Sequence, residues 1–406
     1  MDFEPIPGLA EARKKYDDFF REEMKKAPPG WEGGPEDLAT HEGHAFQRYV
    51  ARELGKRGWV CLAWPKKYGG LEKSHFEQLA FNEARAYWKA PGVDQFGAGM
   101  IGPTLLAVGS EEQKERFLPP IARGEIWWAQ LWSEPNAGSD LAAAQTFAQR
   151  EGDDYIVNGQ KCWTSGAHHA DWGFAVVRTS REQTRSRALS YLLIDLRSQG
   201  ITINPLATMS SHRTQEAYFN EIFLDNVRVP VVNRVGEEND GWRMIRATMN
   251  FERSGLSAYG AMRRELLELI EFCRETKWQG EPLLNKPLVR DRLAQLAIDI
   301  EAGMASARHV LWGQYKLFLG EESPRDQATR SSSLKYYRSE LSQRFAYTGC
   351  QIFGLYSQLK RESRWAPLYG KFEKEYQSCL GNNIASGTTE IQKNIIAWEG
   401  LGLPRI

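Results

Sequence analysis

The spacing of apolar and polar residues changes twice along the chain and divides it into three segments. From Leu9 to about Gly124, apolar residues recur at helical intervals between charged ones, and Trp64–Gly70 interrupts this pattern as a loop. Ser110, followed by two glutamates and a glutamine, is typical of a helix N-cap with acidic residues in the first turn. We therefore predict that the first segment is helical.

The second segment runs from Trp127 to about Pro230 and has the short apolar runs and frequent turn residues of strands. Tyr155–Val157 predicts a strand that enters a hairpin turn at Asn158-Gly159. Other strand candidates are Gly173–Arg178, Ser190–Leu196, Ile201–Asn204 and Glu216–Leu224. Several strands at this spacing predict a small barrel or sandwich.

The helical spacing returns after Gly241 and is regular in two long stretches. The first contains Val289, Leu293, Leu296, Ile300, Met304 and Ala307, and the second contains Leu334, Tyr337, Leu341, Phe345 and Thr348. Both advance by steps of three and four residues, as the apolar stripe of a helix does. We predict a helical bundle, and we expect the two stripes to offer surface for contacts between subunits.

Composition narrows the function classes. The chain has 406 residues, and its 52 basic and 52 acidic residues give a formal net charge of zero, so neither a nucleic acid nor a membrane surface is an expected partner. No apolar run is long enough for a membrane span. The N-terminus lacks the layout of a signal or transit peptide, and the five cysteines are scattered without a paired motif. We expect a cytoplasmic protein with free thiols, and the seven histidines show no metal-binding spacing.

The stretch Ser133–Asp140, with the sequence SEPNAGSD, follows a predicted strand and is rich in turn residues. It is typical of a long loop. Its hydroxyls and backbone N–H groups also suit the polar edge of a ligand, and local chemistry leaves both interpretations open.

Five motifs follow one another in a fixed order: Trp128–Asp140, Asn158–Gly166, Phe223–Pro230, Val235–Trp242 and Ile384–Arg405. Together they resemble the motifs of the acyl-CoA dehydrogenase family. The resemblance extends to bacterial FadE-type and steroid-degradation members. It implies an α+β fold with an N-terminal helical domain (1–125), a middle β-barrel domain (126–232) and a C-terminal four-helix-bundle domain (233–406).

The resemblance also implies bound FAD and the residues that contact it. Gln130 and Ser133 match positions at the flavin ring, Trp163 matches a tryptophan beside it, and Ser165 matches a hydroxyl near its N5. The remaining matches are Ser139 in the same signature, Thr388 and Glu390 near the adenylate, and Gln351, which a neighbouring subunit offers to FAD.

The reaction that the resemblance implies desaturates an acyl-CoA between its α- and β-carbons. It needs a carboxylate base, best buried so that its pKa rises towards neutrality. Many members carry this glutamate directly before the C-terminal Gly-Thr, where this chain has Ser386. Another branch has it in a Glu-Arg pair on the first helix of the third domain, which matches Glu252 and Arg253. We predict that Glu252 is the catalytic base, that Asn250 and Arg253 bind substrate, and that the N–H of Ser386 holds the thioester oxygen.

Two stretches depart from the family pattern. Thr276–Pro282 lacks the usual arginine and phenylalanine, and Gly354–Ser357 replaces a glycine-rich element. Both departures fall on the part of the FAD site that a second subunit completes in the family. We expect a tetramer, either homomeric or with a second acyl-CoA dehydrogenase-like chain, and electron-transfer flavoprotein as electron acceptor. The alternatives are a non-catalytic or partly catalytic subunit of a heteromer, and a flavin monooxygenase or desulfinase on the same fold.

Overall fold

The computed structural model of the protein describes residues 8–211, 217–252, 256–318 and 320–405. The chain forms two compact units. The sheet-containing unit comprises the described parts of 22–78 and 90–252, and the helical unit comprises the described parts of 1–21, 79–89 and 253–406. The three domain boundaries inferred from the sequence stay a prediction.

The N-terminal segment is helical, as its apolar spacing predicts. Its helices are α1 (Leu9–Glu23), α2 (Pro35–Ala39), α3 (His41–Gly55), α4 (His75–Tyr87), α5 (Gly102–Val108) and α6 (Glu111–Ala122). Ser110 is the N-cap of α6, since its hydroxyl accepts a hydrogen bond from the N–H of Gln113 at 3.2 Å. The Gln113 side chain accepts one in return from the N–H of Ser110 at 3.2 Å, which completes the capping box.

Seven strands of the described chain form one mixed sheet in the middle segment. They are β1 (Trp128–Leu131), β2 (Phe147–Glu151), β3 (Asp154–Ser165), β4 (Trp172–Arg178), β5 (Leu189–Asp195), β6 (Ile201–Pro205) and β7 (Phe219–Pro230). The strand order is β1-β4-β2-β3-β7-β6, and β5 pairs with β4. One face packs around fully buried side chains such as Leu131, Tyr155 and Val177. The predicted β domain between two helical regions is confirmed.

The hairpin turn predicted at Asn158-Gly159 is wrong, because β3 runs through these two residues. The chain reverses earlier, at Gly152-Asp153, where Gly152 has a φ of 62°. Gly159 instead permits a close approach between chain segments. A Cβ at this position would lie 2.7 Å from the Cα of Thr146. Both Asn-Gly and Gly-Asp are turn sequences, and only the strand pairing decides between them.

The C-terminal segment is helical, as predicted. Its helices are α7 (Gly241–Glu252), α8 (Leu256–Glu275), α9 (Pro287–Phe318), α10 (Pro324–Phe353), α11 (Lys371–Ser378) and α12 (Thr389–Ile395). A two-stranded hairpin, β8 (Lys277–Trp278) and β9 (Glu281–Pro282), lies between α8 and α9.

The two apolar stripes of α9 and α10 do not offer surface for subunit contacts, so that expectation is wrong. Leu296, Ile300, Leu341 and Phe345 are at most 3% exposed and belong to one core with α8. The stripes are regular because they fill the core of the helical unit itself.

The cysteines are free thiols, and four of the five are buried, as expected. Among the described residues, no group of three or more His, Cys, Asp or Glu side chains is arranged to hold a metal ion. None of the described helices is long and apolar enough to cross a membrane.

Candidate functional site

The ends of β1 and β3 bring several of the predicted flavin contacts together. Gln130 lies on β1, half-buried and paired with Phe174 of β4. Ser133 lies two residues after the end of β1, and its carbonyl oxygen accepts a hydrogen bond from the N–H of Cys162 at 2.9 Å. This bond joins the end of β1 to the last third of β3.

Trp163 has the geometry of a ligand-facing residue. Its backbone has a φ of 58°, and its indole is 57% exposed although it lies inside a strand. The pairing of β3 with β7 slips between Lys161 and Thr164, so the chain bulges at this point. A positive φ is unfavourable for a bulky residue, and residues strained in this way cluster at functional sites. The ring also meets Phe219 edge to face at 5.9 Å.

Ser165 ends β3 two residues later and is half-buried, opposite Phe219 of β7. Gly166 stops the strand with a φ of 65°, and its N–H donates to the carbonyl oxygen of Tyr218 at 2.7 Å. Ser139 lies apart from this strand end, exposed in the loop that follows Ser133. An exposed aromatic face with hydroxyl-bearing residues at the same strand end fits a planar ring with a polar edge, such as the isoalloxazine of FAD.

The other predicted FAD contacts belong to the helical unit. Thr388 is the N-cap of α12, and its hydroxyl accepts from the N–H of Ile391 at 3.2 Å. Glu390 is exposed in the first turn, and hydrogen bonds from its own N–H and from Thr388 lower the pKa of its carboxyl. Gln351 is exposed in the last turn of α10.

The predicted base is the last residue of α7. The side chains of Asn250 and Glu252, and the whole of Arg253, lie outside the described residues. One turn before Glu252, the buried hydroxyl of Thr248 accepts a hydrogen bond from Thr104 at 2.9 Å and lies 3.1 Å from the hydroxyl of Tyr191. The hydrogen-bonded hydroxyl groups of these three residues fix α7 near its C-terminal end.

Ser386 lies in an unusual turn before α12. Ser386 and Gly387 have successive positive φ angles of 56° and 83°. The buried side chain of Gln392 donates hydrogen bonds to the carbonyl oxygens of both residues, at 3.2 and 3.1 Å. The Ser386 side chain itself is exposed. The turn is therefore held from the α12 side, through the carbonyl oxygens of Ser386 and Gly387.

Glu134 and Lys161 have no role predicted from the sequence, although they lie within the motifs Trp128–Asp140 and Asn158–Gly166. Their side chains form an ion pair of 2.8 Å in which Lys161 is 0% and Glu134 7% exposed. The only signal in the sequence was their opposite charge, because the two residues are far apart along the chain. Their contacts depend on how β1 and β3 come together.

The two departures from the family pattern also have defined structures. Thr276–Pro282 contains the hairpin of β8 and β9, with exposed Lys277 and Trp278. Gly354 has a φ of 58° and begins a short 3-10 turn. In that turn Leu355 is 83% and Tyr356 is 54% exposed.

Comparison with known proteins agrees with this architecture. Three acyl-CoA dehydrogenase domain models match in order: the N-terminal domain at residues 9–125, the middle domain at 129–227 and the C-terminal domain at 239–401. Acyl-CoA dehydrogenase FadE26 of Mycobacterium tuberculosis is 35% identical over 370 residues, which cover 89% of each chain. Acyl-CoA dehydrogenase IpdE1 of the same organism is 34% identical and covers 92% of this chain and 91% of its own length.

Solved structures show the same fold. The ChsE4-ChsE5 complex from Mycobacterium tuberculosis contains a chain that is 32% identical, with full coverage of both chains (100% each) and a TM-score of 0.86. The Tcur3481-Tcur3483 steroid ACAD has a chain that is 29% identical, also with 100% coverage of each chain and a TM-score of 0.86. The resemblance to FadE-type and steroid-type members is thereby confirmed. This chain belongs to the acyl-CoA dehydrogenase family and is an FAD-dependent oxidoreductase.

Proposed function

We propose that the protein desaturates its acyl-CoA substrate with Glu252 as the base that removes the α-proton. Support comes from the sequence, which has Ser386 at the family's C-terminal position for a catalytic glutamate and Glu252 at the alternative position. FAD, when bound, supplies the acceptor for the hydride that leaves the β-carbon. The carboxylate of Glu252 needs to be ionised before the reaction and to hold the proton after it.

Other residues of the chain orient the substrate in this proposal. Arg253 binds the CoA portion, and Asn250 of α7 contacts the substrate. The N–H of Ser386 donates a hydrogen bond to the thioester oxygen, where negative charge develops as the α-proton leaves. Gln130, Ser133, Trp163 and Ser165 hold the flavin ring. The observation that supports FAD binding in this proposal is that Trp163, near the end of β3, is exposed and has a positive φ.

Anaerobic titration of the purified, FAD-loaded protein with a panel of acyl-CoA thioesters tests the activity and identifies the substrate class. We expect the visible absorption of the flavin to bleach with at least one linear, branched, cyclic or steroid-like acyl-CoA. The matching enoyl-CoA should appear in equal amount by mass spectrometry. Reoxidation should be faster with electron-transfer flavoprotein than with oxygen alone, because that protein is the acceptor we propose.

The same titration separates the alternatives. A flavin that reacts with oxygen only after reduction by an external donor, with no bleaching by any thioester, would favour a monooxygenase or desulfinase. A chain that binds FAD and bleaches only after a second acyl-CoA dehydrogenase-like chain is added would be a partly catalytic subunit.

We propose further that the protein is a tetramer and that it pairs with a second acyl-CoA dehydrogenase-like chain. Three exposed apolar side chains in the helical unit support a subunit contact beside Gln351: Leu355 is 83%, Trp365 is 63% and Tyr369 is 78% exposed. Isolated exposed apolar residues are common, but several in one short segment are typical of an interface. The ChsE4-ChsE5 complex and the Tcur3481-Tcur3483 steroid ACAD, each named for two components, support the heteromeric form.

Light scattering on the chain alone and after co-expression with a candidate partner tests the assembly. We expect a stable tetramer in the co-expressed sample, and we expect Leu355→Asp to dissociate it. Val232→Asp, which changes a 71% exposed apolar residue of the sheet-containing unit, is the matched control and should leave the tetramer intact. Full activity from a monomer would contradict any shared site, and full activity from a homotetramer would exclude the heteromeric form.

A further inference from the structure

The side chain of Lys161 is completely buried, yet all three of its donor positions are used. Its Nζ lies 2.8 Å from Oε1 of Glu134, 3.2 Å from the carbonyl oxygen of Trp132 and 2.6 Å from that of Val176. An ammonium group has three donors, so this set satisfies it fully. The single cation thereby joins β3, the end of β1 and β4.

Glu134 extends the same set of contacts to the chain before β2. Its Oε2 accepts a hydrogen bond from the N–H of Gln145 at 2.6 Å, and its Oε1 accepts one from the N–H of Thr146 at 2.9 Å. Burial alone would raise the pKa of this carboxyl, but the charge of Lys161 and these hydrogen bonds lower it. Glu134 is therefore ionised at neutral pH.

These contacts fix the peptide groups on both sides of Ser133. Lys161 holds the carbonyl of Trp132, and because the peptide bond is trans, the N–H of Ser133 points to the opposite side. The N–H of Cys162 holds the carbonyl of Ser133 at 2.9 Å. Directly after Cys162, the chain turns Trp163 outward with its positive φ. The buried contacts of Lys161 and Glu134 therefore control the orientation of Ser133 and Trp163 at the candidate flavin site.

We propose that Lys161 and Glu134 are positioning residues for FAD, acting through Ser133 and Trp163 on the flavin ring. The proposal rests on the FAD-dependent activity but not on the identity of the catalytic base. A buried ion pair contributes little net stability compared with apolar residues of similar volume. An apolar pair, however, could not hold two carbonyl oxygens and two backbone N–H groups in fixed directions.

The double variant Lys161→Met/Glu134→Gln tests this role without leaving a single buried charge. Full-length protein is stripped of FAD, and the dissociation constant is measured by flavin fluorescence as FAD is added back. We expect FAD binding to weaken by about 10-fold or more, as loss of a charge-assisted contact would cause. The visible circular dichroism of the bound flavin should also change, because the ring is held less firmly. Neither readout depends on turnover.

Tyr155→Phe provides the matched control at the other end of β3. It removes the hydrogen bond from the Tyr155 hydroxyl to Glu238 at 2.6 Å, beside Arg234, which approaches the same hydroxyl at 2.9 Å. This variant should lower the thermal stability of the protein while leaving the FAD dissociation constant unchanged. A purely structural role for Lys161 and Glu134 would give the same result in both variants.

Lys161→Arg keeps the charge and the ion pair, but its planar guanidinium cannot reach both carbonyl oxygens in the same geometry. It should fold and bind FAD more weakly than the wild type. It therefore tests the positioning role of Lys161 if the double variant does not fold. Wild-type FAD affinity and wild-type flavin dichroism in either folded variant would overturn the proposal. A wild-type protein that does not bind FAD would instead overturn the cofactor assignment.

Discussion

Glu252→Gln is expected to abolish nearly all turnover while leaving FAD, fold and acyl-CoA affinity intact. Glutamine has almost the same shape as glutamate, so it removes the proton acceptor and little else. A positioned general base contributes roughly 100- to 10 000-fold, and we expect a loss of at least this size because no hydride leaves without proton abstraction. The measurement is the rate of flavin bleaching in a stopped-flow mixture with the best substrate from the titration.

Two further variants show whether this loss is specific to Glu252. Glu237→Gln changes a carboxylate with an 87% exposed side chain just before α7 and should leave the bleaching rate unchanged. Ser386→Ala should have a small effect, since its proposed contribution is the backbone N–H. Near-normal bleaching in Glu252→Gln would show that the α-proton goes to another group, and the assignment of the base would be wrong.

The fold was largely predictable because its elements repeat a simple spacing. The stripes of α9 and α10 and the capping box of α6 are local patterns, and each one identifies its own helix. Local patterns do not say what an apolar stripe packs against. For this reason the sequence alone leaves subunit contacts open for the stripes, whereas in the structure Ile300 and Phe345 fill the core of the helical unit.

Candidate site residues can be predicted from the sequence only where a motif fixes both residue and position. The motif singles out Trp163, but its positive φ depends on the bulge between Lys161 and Thr164, and that bulge depends on pairing with β7. The same limit applies to Glu134 and Lys161. Their contact exists only because the chain that leaves β1 meets β3, where the N–H of Cys162 donates to the carbonyl oxygen of Ser133, and sequence distance gives no indication of it.

The backbone of the turn at Ser386 can accept a glutamate in place of the serine. A non-glycine residue already occupies the left-handed region there, with a φ of 56°, so another L-residue adds little backbone strain. The Ser386 side chain is exposed, and the contacts from Gln392 to this turn involve backbone carbonyl oxygens only. A longer side chain at this position keeps these hydrogen bonds from Gln392, so we expect Ser386→Glu to fold and to keep the turn.

Adding Ser386→Glu to Glu252→Gln should restore part of the lost activity, because it places a carboxylate where many family members carry their base. We expect bleaching about 10-fold faster than in the single variant, still far below the wild type, because Ala385 replaces the usual aromatic neighbour and the new carboxylate is less well oriented. The matched control is Ser386→Gln in the same background, which has the same length but no proton acceptor and should restore nothing. If both double variants bleach at the rate of Glu252→Gln, Ser386 does not lie against the α-carbon. If the glutamine variant recovers as much as the glutamate variant, the gain comes from packing and not from a base.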